Sequence, residues 1–335
     1  MTFRLFHVAF AFFFLLAAGR AAGAEIRIGI IGLDTFHATQ LTGFFNDPKA
    51  PGHVPGGRVV GAYRGGSTDL PFSQQRLPEV TKLITEKYGI RLYDSIEDLV
   101  RDVDAIMIES VDGRPHLEQF RRVAGKGKPV FVDKPFAGSL RDAVELVRLA
   151  RATNTPCFSS SALRFSVNSP AREREKLGEV RSVFSFGPAD IEPTHPDLFW
   201  YGIHEVEAIY AVLGPGCVSV VRTKTPSTDL VTGEWSDGRL ATMQGNRGHG
   251  KGFSVTAFGT KGVVSGGDKS SLQPIAVKVM EFFRTRTPPV PLEETLELFA
   301  FMEAAHESTR RGGARVTLAE VLQAAGGKWH GSPDP

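Results

Sequence analysis

From residue 25 to about residue 160 the sequence alternates short, almost wholly apolar runs with longer segments of helical period, and no other feature restricts the fold as tightly. Strand-like runs fall at 26–31, 58–63, 105–109, 129–132 and 157–160, with helix-like segments at 35–45, 78–88, 95–100, 116–125 and 139–153 between them. Strand and helix in alternation predict a parallel sheet covered by helices on both faces. Ligands of such sheets bind beyond the carboxyl ends of the strands, so the residues that follow each run are the candidates for chemistry. After residue 161 the order changes. A helix-like segment at 200–213 precedes strand-like runs at 218–224, 239–246, 251–258 and 262–265, and helices at 271–284 and 292–311 follow, parted by Thr287-Pro288-Pro289-Val290-Pro291. Several strands in succession predict a mainly antiparallel sheet. The expected class is therefore α/β: a doubly wound parallel-sheet domain over 25–160, then an α+β domain with an open sheet over 161–335, its late helices packing back toward the first. Two domains also suit 335 residues, since single cores stop growing near about 250.

The first 24 residues stand outside this pattern. Arg4 is followed by an apolar run over 5–18, broken only by His7, and then by Ala22-Gly23-Ala24. This reads as a secretory signal cut before Glu25, and the run is shorter than the ~20 residues that span a bilayer, so no stable membrane anchor is expected. Without an Arg-Arg pair the route is that of an unfolded chain, and the expected location is periplasmic. Removing the segment leaves 37 basic against 37 acidic residues. A neutral chain has no global electrostatic reason to bind nucleic acid. Cys157 and Cys217 are read as buried free thiols, because two cysteines 60 residues apart do not establish a bridge.

The first strand runs into Gly32-Leu33-Asp34-Thr35-Phe36-His37. A dinucleotide fingerprint would carry glycine at 32, 34 and 37, and only Gly32 is present. Gly32, Asp34, Thr35 and His37 thus stand where a nucleotide's phosphates would lie, with Asp34 bringing a carboxylate toward them and His37 adding bulk; Asp34 as a helix N-cap is the alternative. The second strand ends without an acid for a ribose hydroxyl, while Arg64 and Ser67 suit a 2′-phosphate or a solvated loop. Glu109 and His116 fall in the loop after the next run, and Asp133-Lys134-Pro135 closes the one after that. Further on, His195, Asp197, His204 and Glu207 form a possible Zn or Mn ligand set, against the simpler reading in which Glu207 orients His204 and no metal is bound. Trp200 and Tyr201 suit stacking on a sugar face or core packing.

Asp133-Lys134-Pro135 resembles the Glu-Lys-Pro signature of the glucose-fructose oxidoreductase / inositol dehydrogenase (Gfo/Idh/MocA) family. Gly113-Arg114-Pro115-His116 with Gly127-Lys128-Pro129-Val130, then Arg164-Phe165, Gly202-Ile203-His204, and Ala257-Phe258-Gly259-Thr260-Lys261-Gly262 with the helix at 291–312, follow in the family's order. The resemblance implies a Rossmann domain, a second domain whose open sheet makes oligomer contacts, and NAD(P)-dependent oxidation or reduction of a sugar, cyclitol or related polyol. It implies Lys134 and His204 at the reacting hydroxyl. By position, the candidate cofactor contacts are Gly32, Asp34, Thr35, His37, Arg64, Ser67, Glu109, His116 and Asp133, and the candidate substrate contacts are Arg164, Trp200, Tyr201 and Glu207. The chain departs from the family in its missing glycines, in Asp133 for Glu, and in Trp200 where an Asp is common. Those departures keep two rivals in view: a cofactor-independent or metal-assisted lyase or epimerase, and a non-catalytic sugar-binding protein.

Overall fold

The computed structural model describes residues 25–166, 168–248, 252–267 and 271–328. The expected signal, residues 1–24, lies outside them. Among the described residues no helix is long and apolar enough to cross a membrane.

Six parallel strands form the first sheet: β1 (Ile26–Ile31), β2 (Gly57–Tyr63), β3 (Arg91–Tyr93), β4 (Ala105–Ile108), β5 (Val130–Val132) and β6 (Cys157–Ser159). Their order, β3-β2-β1-β4-β5-β6, reverses direction between β1 and β4, and a crevice opens at such a switch point. Five helices connect them: α1 (Phe36–Asn46), α2 (Pro71–Lys82), α3 (Ile96–Asp102), α4 (His116–Val123) and α5 (Leu140–Ala152). The two-residue period of a strand sends neighbouring side chains to opposite faces. In β4, Met107 packs with Leu41 and Phe45 of α1, whereas Ile106 and Ile108 pack with Leu99, Phe120 and Leu140. Ser95 and Ser139 start α3 and α5 by accepting hydrogen bonds from the amides of Asp98 and Asp142. Two expectations need correction. The second helix begins at Pro71, in the first turn where a missing N–H costs nothing, and Pro78 lies inside it. The edge strand β3, three residues long and half exposed, carries too little apolar sequence to announce itself.

The second sheet comprises β7 (Val180–Pro188), β8 (Cys217–Lys224), β9 (Thr228–Trp235), β10 (Leu240–Asn246), β11 (Ser254–Gly259), β12 (Val263–Gly266) and β13 (Val316–Thr317), in the order β12-β11-β7-β10-β9-β8-β13. Every pairing is antiparallel except that of β7 with β10. The helices here are α6 (Arg174–Leu177), α7 (Asp197–Trp200), α8 (Ile203–Leu213), α9 (Gln273–Thr285), α10 (Leu292–Arg310) and α11 (Leu318–Ala324). Helix α8, buried nearly all round, covers one face of this sheet through β7 and β10. The other face is open and carries Phe186, Leu230, Leu240 and Phe258, all exposed. Helix α9 leaves the second sheet altogether. Its Ile275, Ala276, Val279, Met280 and Phe282 join Ile28, Ile30 and Phe131 in the core of the first. Cys157 and Cys217 are both free and buried, and burial raises both thiols.

Candidate active site

Gly32 ends β1 at φ +98°, and a Cβ on it would lie 2.4 Å from the Ser110 amide nitrogen. Only glycine lets β1 turn this close under the loop after β4. Thr35 caps α1, its Oγ1 accepting from His37 N at 3.2 Å, so the cap falls one residue beyond Asp34. Asp34 itself is wholly buried, accepting from Ser73 Oγ at 2.6 Å and from Val111 N at 3.0 Å. Burial raises its pKa, partly offset by those bonds. Its carboxylate therefore ties β1 to α2 and to the β4 loop instead of facing a phosphate, which corrects the expectation from sequence.

His37, one residue into α1, places Nδ1 2.7 Å from Asp133 Oδ2 at the end of β5. Glu109, at the end of β4, is wholly buried, and neither carboxylate oxygen has a hydrogen-bond partner among the described residues. Burial, with Asp133 adding to it, pushes Glu109 well above its ordinary pKa. Burial opposes ionisation of Asp133 too, but His37 and Lys134 outweigh it and hold that group low. Lys134 is 9% exposed. Burial lowers its pKa, with Asp133 opposing, and its Nζ lies 5.7 Å from the centre of the Tyr201 ring.

Tyr201 belongs to the second domain, which meets the first here. A cavity of about 560 Å³ lies between them, lined by Thr35, Phe36, His37, Lys134, Trp200 and Tyr201 among others. Trp200 packs edge-on against Phe72 of α2 with ring centres 5.8 Å apart. His204 does not line the cavity. It is wholly buried behind Tyr201, ring centres 5.1 Å apart, with Nδ1 2.6 Å from Ser161 Oγ. Lys134 and His204 thus both neighbour the same tyrosine.

The remaining expected residues divide between structural networks and the surface. Arg164 pairs with Glu207 and, at 2.6 Å, with Glu294; neither Arg164 nor Glu207 lines the cavity. Arg64 is exposed. Ser67 Oγ donates to Asp112 Oδ2 at 2.6 Å, and Asp112 also holds Arg114 and stands 3.0 Å from His195 Nε2. His116 Nε2 lies 2.9 Å from the Ser110 carbonyl oxygen, and burial lowers its pKa; it packs the loop and meets no open space. The alternative metal set is not assembled: His195 sits by Asp112, Asp197 by Arg222 and His306, His204 by Ser161, and Glu207 by Arg164. Among the described residues, the group of His, Asp and Glu that does come together is His37, Glu109 and Asp133. Phe36, Phe72 and Arg76 were not anticipated. The Arg76 guanidinium lies 4.1 Å from the centre of the Phe36 ring and 4.6 Å from that of Phe72, a packing that no local pattern announces.

Residues 26–160 match the Gfo/Idh/MocA family, described as an oxidoreductase family with an NAD-binding Rossmann fold. The match covers the first domain, which is of that family. Solved structures similar to this chain include scyllo-inositol dehydrogenase from Lactobacillus casei with bound NAD(H) and scyllo-inositol, at 16% identity over 88% of this chain and 100% of that one, with a TM-score of 0.71. Myo-inositol 2-dehydrogenase from Lactobacillus plantarum is similar at 17% identity, 88% and 99% coverage and a TM-score of 0.71. At these identities the likeness is one of fold. No curated protein matches the sequence.

The family's dinucleotide fits the retained parts of the crevice. The Gly32 turn is intact, no carboxylate of Asp34 faces outward, and the start of α1 opens on the cavity through Thr35, Phe36 and His37, the end of a helix that favours phosphate. At the far side of the Gly32 turn, the Leu33 amide is taken by the Arg64 carbonyl at 2.9 Å, and Ser67 by Asp112.

Proposed function

We propose that the protein oxidises or reduces a hydroxyl-bearing carbon of a polyol, cyclitol or sugar with NAD(P) held in the crevice of the first domain, Lys134 meeting the reacting oxygen. The single observation that carries this reading is Lys134 itself: a nearly buried amine at the carboxyl end of a central parallel strand, lining the cavity between the domains, with its pKa lowered by burial. A hydroxyl that loses hydride also loses a proton, and an amine within reach of that oxygen can exchange it. The nicotinamide supplies the hydride exchange. Gly32, Thr35 and His37 are the residues that would hold the nucleotide, and Trp200 and Tyr201 offer aromatic faces to a sugar ring. Burial raises the Tyr201 phenol, so it stays protonated as a donor. His204, one ring behind, is a positioning residue for Tyr201.

The test is reduction of NAD⁺ and NADP⁺ by a panel of inositols and sugar alcohols. Lys134→Met should lower kcat by roughly 10²-fold or more, with melting temperature nearly unchanged. Turnover equal to the parent protein's would sink the assignment. A second reading, a polyol-binding or non-redox protein, is favoured by the closure of Ser67 on Asp112 beneath His195. It predicts polyol binding with no measurable nucleotide affinity in titration calorimetry.

Two further parts of the proposal rest on other features. Export to the periplasm is supported by the segment over 1–24, and amino-terminal sequencing of the exported protein should begin at Glu25. Self-association is supported by the apolar open face of the second sheet, since exposed patches of this kind mark interaction sites. Sedimentation should give an oligomer that Phe186→Asp dissociates; a monomeric parent protein would remove the idea.

A further inference from the structure

We propose that His37, Glu109 and Asp133 form a binding site for one divalent cation of the Mn²⁺/Zn²⁺ class. The redox reading neither requires nor supplies such a site. The three side chains come from three elements: the first turn of α1, the end of β4 and the end of β5. Their ligand atoms lie within 4.8 Å of one another. Donors about 2 Å from a shared cation sit roughly 3.5 Å apart, a separation that small side-chain rotations reach.

The second observation is Glu109. It is wholly buried at the centre of the sheet, and both oxygens lack a partner among the described residues. Buried polar groups are nearly always satisfied, and each exception asks for an explanation such as an ion. A proton is an incomplete answer. It neutralises the charge, yet the O–H it creates has no acceptor where it stands, and the second oxygen is still bare. Asp133, one strand away on β5, lies 2.7 Å from His37 Nδ1. Two carboxylates and an imidazole meeting around one point supply the ligands and the charge that a divalent cation needs.

The donor set selects the class. Carboxylate oxygens suit Mg²⁺, Ca²⁺ and Mn²⁺, while an imidazole suits Zn²⁺, Fe²⁺ and softer ions, so two of the first with one of the second favour the borderline cations. Three protein ligands leave positions open, the pattern of a site that also takes water or substrate. Of the three, His37 lines the cavity, as Lys134 does.

The experiment uses protein spanning 25–335, stripped with chelator and free of nucleotide, titrated with MnCl₂ and with ZnCl₂ by calorimetry and checked by metal analysis after dialysis. One equivalent should bind at micromolar or lower concentration. Both Glu109→Gln and His37→Gln should weaken binding by at least about tenfold, while circular dichroism shows the fold intact. Two variants are needed because Glu109 is central; if Glu109→Gln does not fold, His37→Gln decides. No binding below millimolar metal, or stoichiometric binding that the folded variants leave unchanged, overturns the proposal. Because no nucleotide or polyol is present, either outcome is separate from success or failure of the redox assay.

Discussion

His306 Nε2 lies 2.7 Å from Asp197 Oδ1 in the wall of the second domain, with Glu303 on its other side and Arg222 and Lys224 also on Asp197. Burial lowers His306, but the hydrogen bonds to Asp197 and Glu303 outweigh it and leave its pKa raised. Burial likewise opposes Asp197, and His306 with Arg222 hold it well below the usual range. A histidine raised in the folded state stabilises fully below its unfolded value of about 6.5, and that contribution fades as pH rises through the folded value. A depressed aspartate stabilises above about 3.9 and loses this as pH falls. The pair is therefore strongest between about pH 4 and pH 6.5. When neutral, the ring can still accept the Leu198 amide at 3.2 Å, so its loss at high pH is partial. His306→Gln should cost about 1–2 kcal/mol near pH 5.5 and clearly less at pH 9, read from chemical melts at both values; an equal deficit would refute the pair. Such partners are invisible in sequence, since residues 197 and 306 lie on separate helices. The same is true of Asp34, whose acceptor role depends on Ser73 and Val111, 39 and 77 residues away.

Where an element is buried on both sides, its sequence declares it. Strands β1, β4, β5 and β6 are runs of Ile, Val, Phe and their like with hardly an exposed atom, and all four are found within a residue or two of their expected bounds. Strands β7 and β9 are not, because one face of each is open: Arg181, Ser182, Thr228 and Thr232 interrupt the apolar pattern, and Asp229 and Gly233 fill inward positions. The site followed the same division. Lys134 could be placed at the cleft because it follows a recognisable strand, and His204, expected beside it, lies behind Tyr201 instead; the convergence of His37 with Asp133, 96 residues apart, had no local signal. The β1–α1 turn gives a test at this scale. Gly32→Ala meets both a positive φ and the Ser110 backbone, and should cost about 3 kcal/mol. Gly89, at φ +63° with nothing within 4 Å of its missing Cβ, should cost only about 1 kcal/mol when changed to Ala. Equal costs in urea melts would mean that the turn relaxes.

The chain crosses between its two sheets more than once. It leaves the first after β6, builds most of the second, returns with α9 to cover β1 and β5, and ends with β13 at the far edge of the second sheet beside β8. The family's first domain is therefore not a separable unit here. A fragment over 25–160 lacks Ile275, Val279, Met280 and Phe282, and so exposes Ile28, Ile30 and Phe131. Expressed alone, it should give dispersed amide signals in few positions and bind a hydrophobic dye; a cooperative melt in the fragment would contradict this. There is a consequence for timing. A ribosome adds about 5–20 residues per second, so roughly 6–25 s pass between emergence of the last strand of the first sheet and arrival of the helix that seals it. During that interval the amino-terminal half has no finished core to resist being drawn through a narrow pore, and a chain that must be threaded across a membrane before it locks would gain its slack from the lateness of α9.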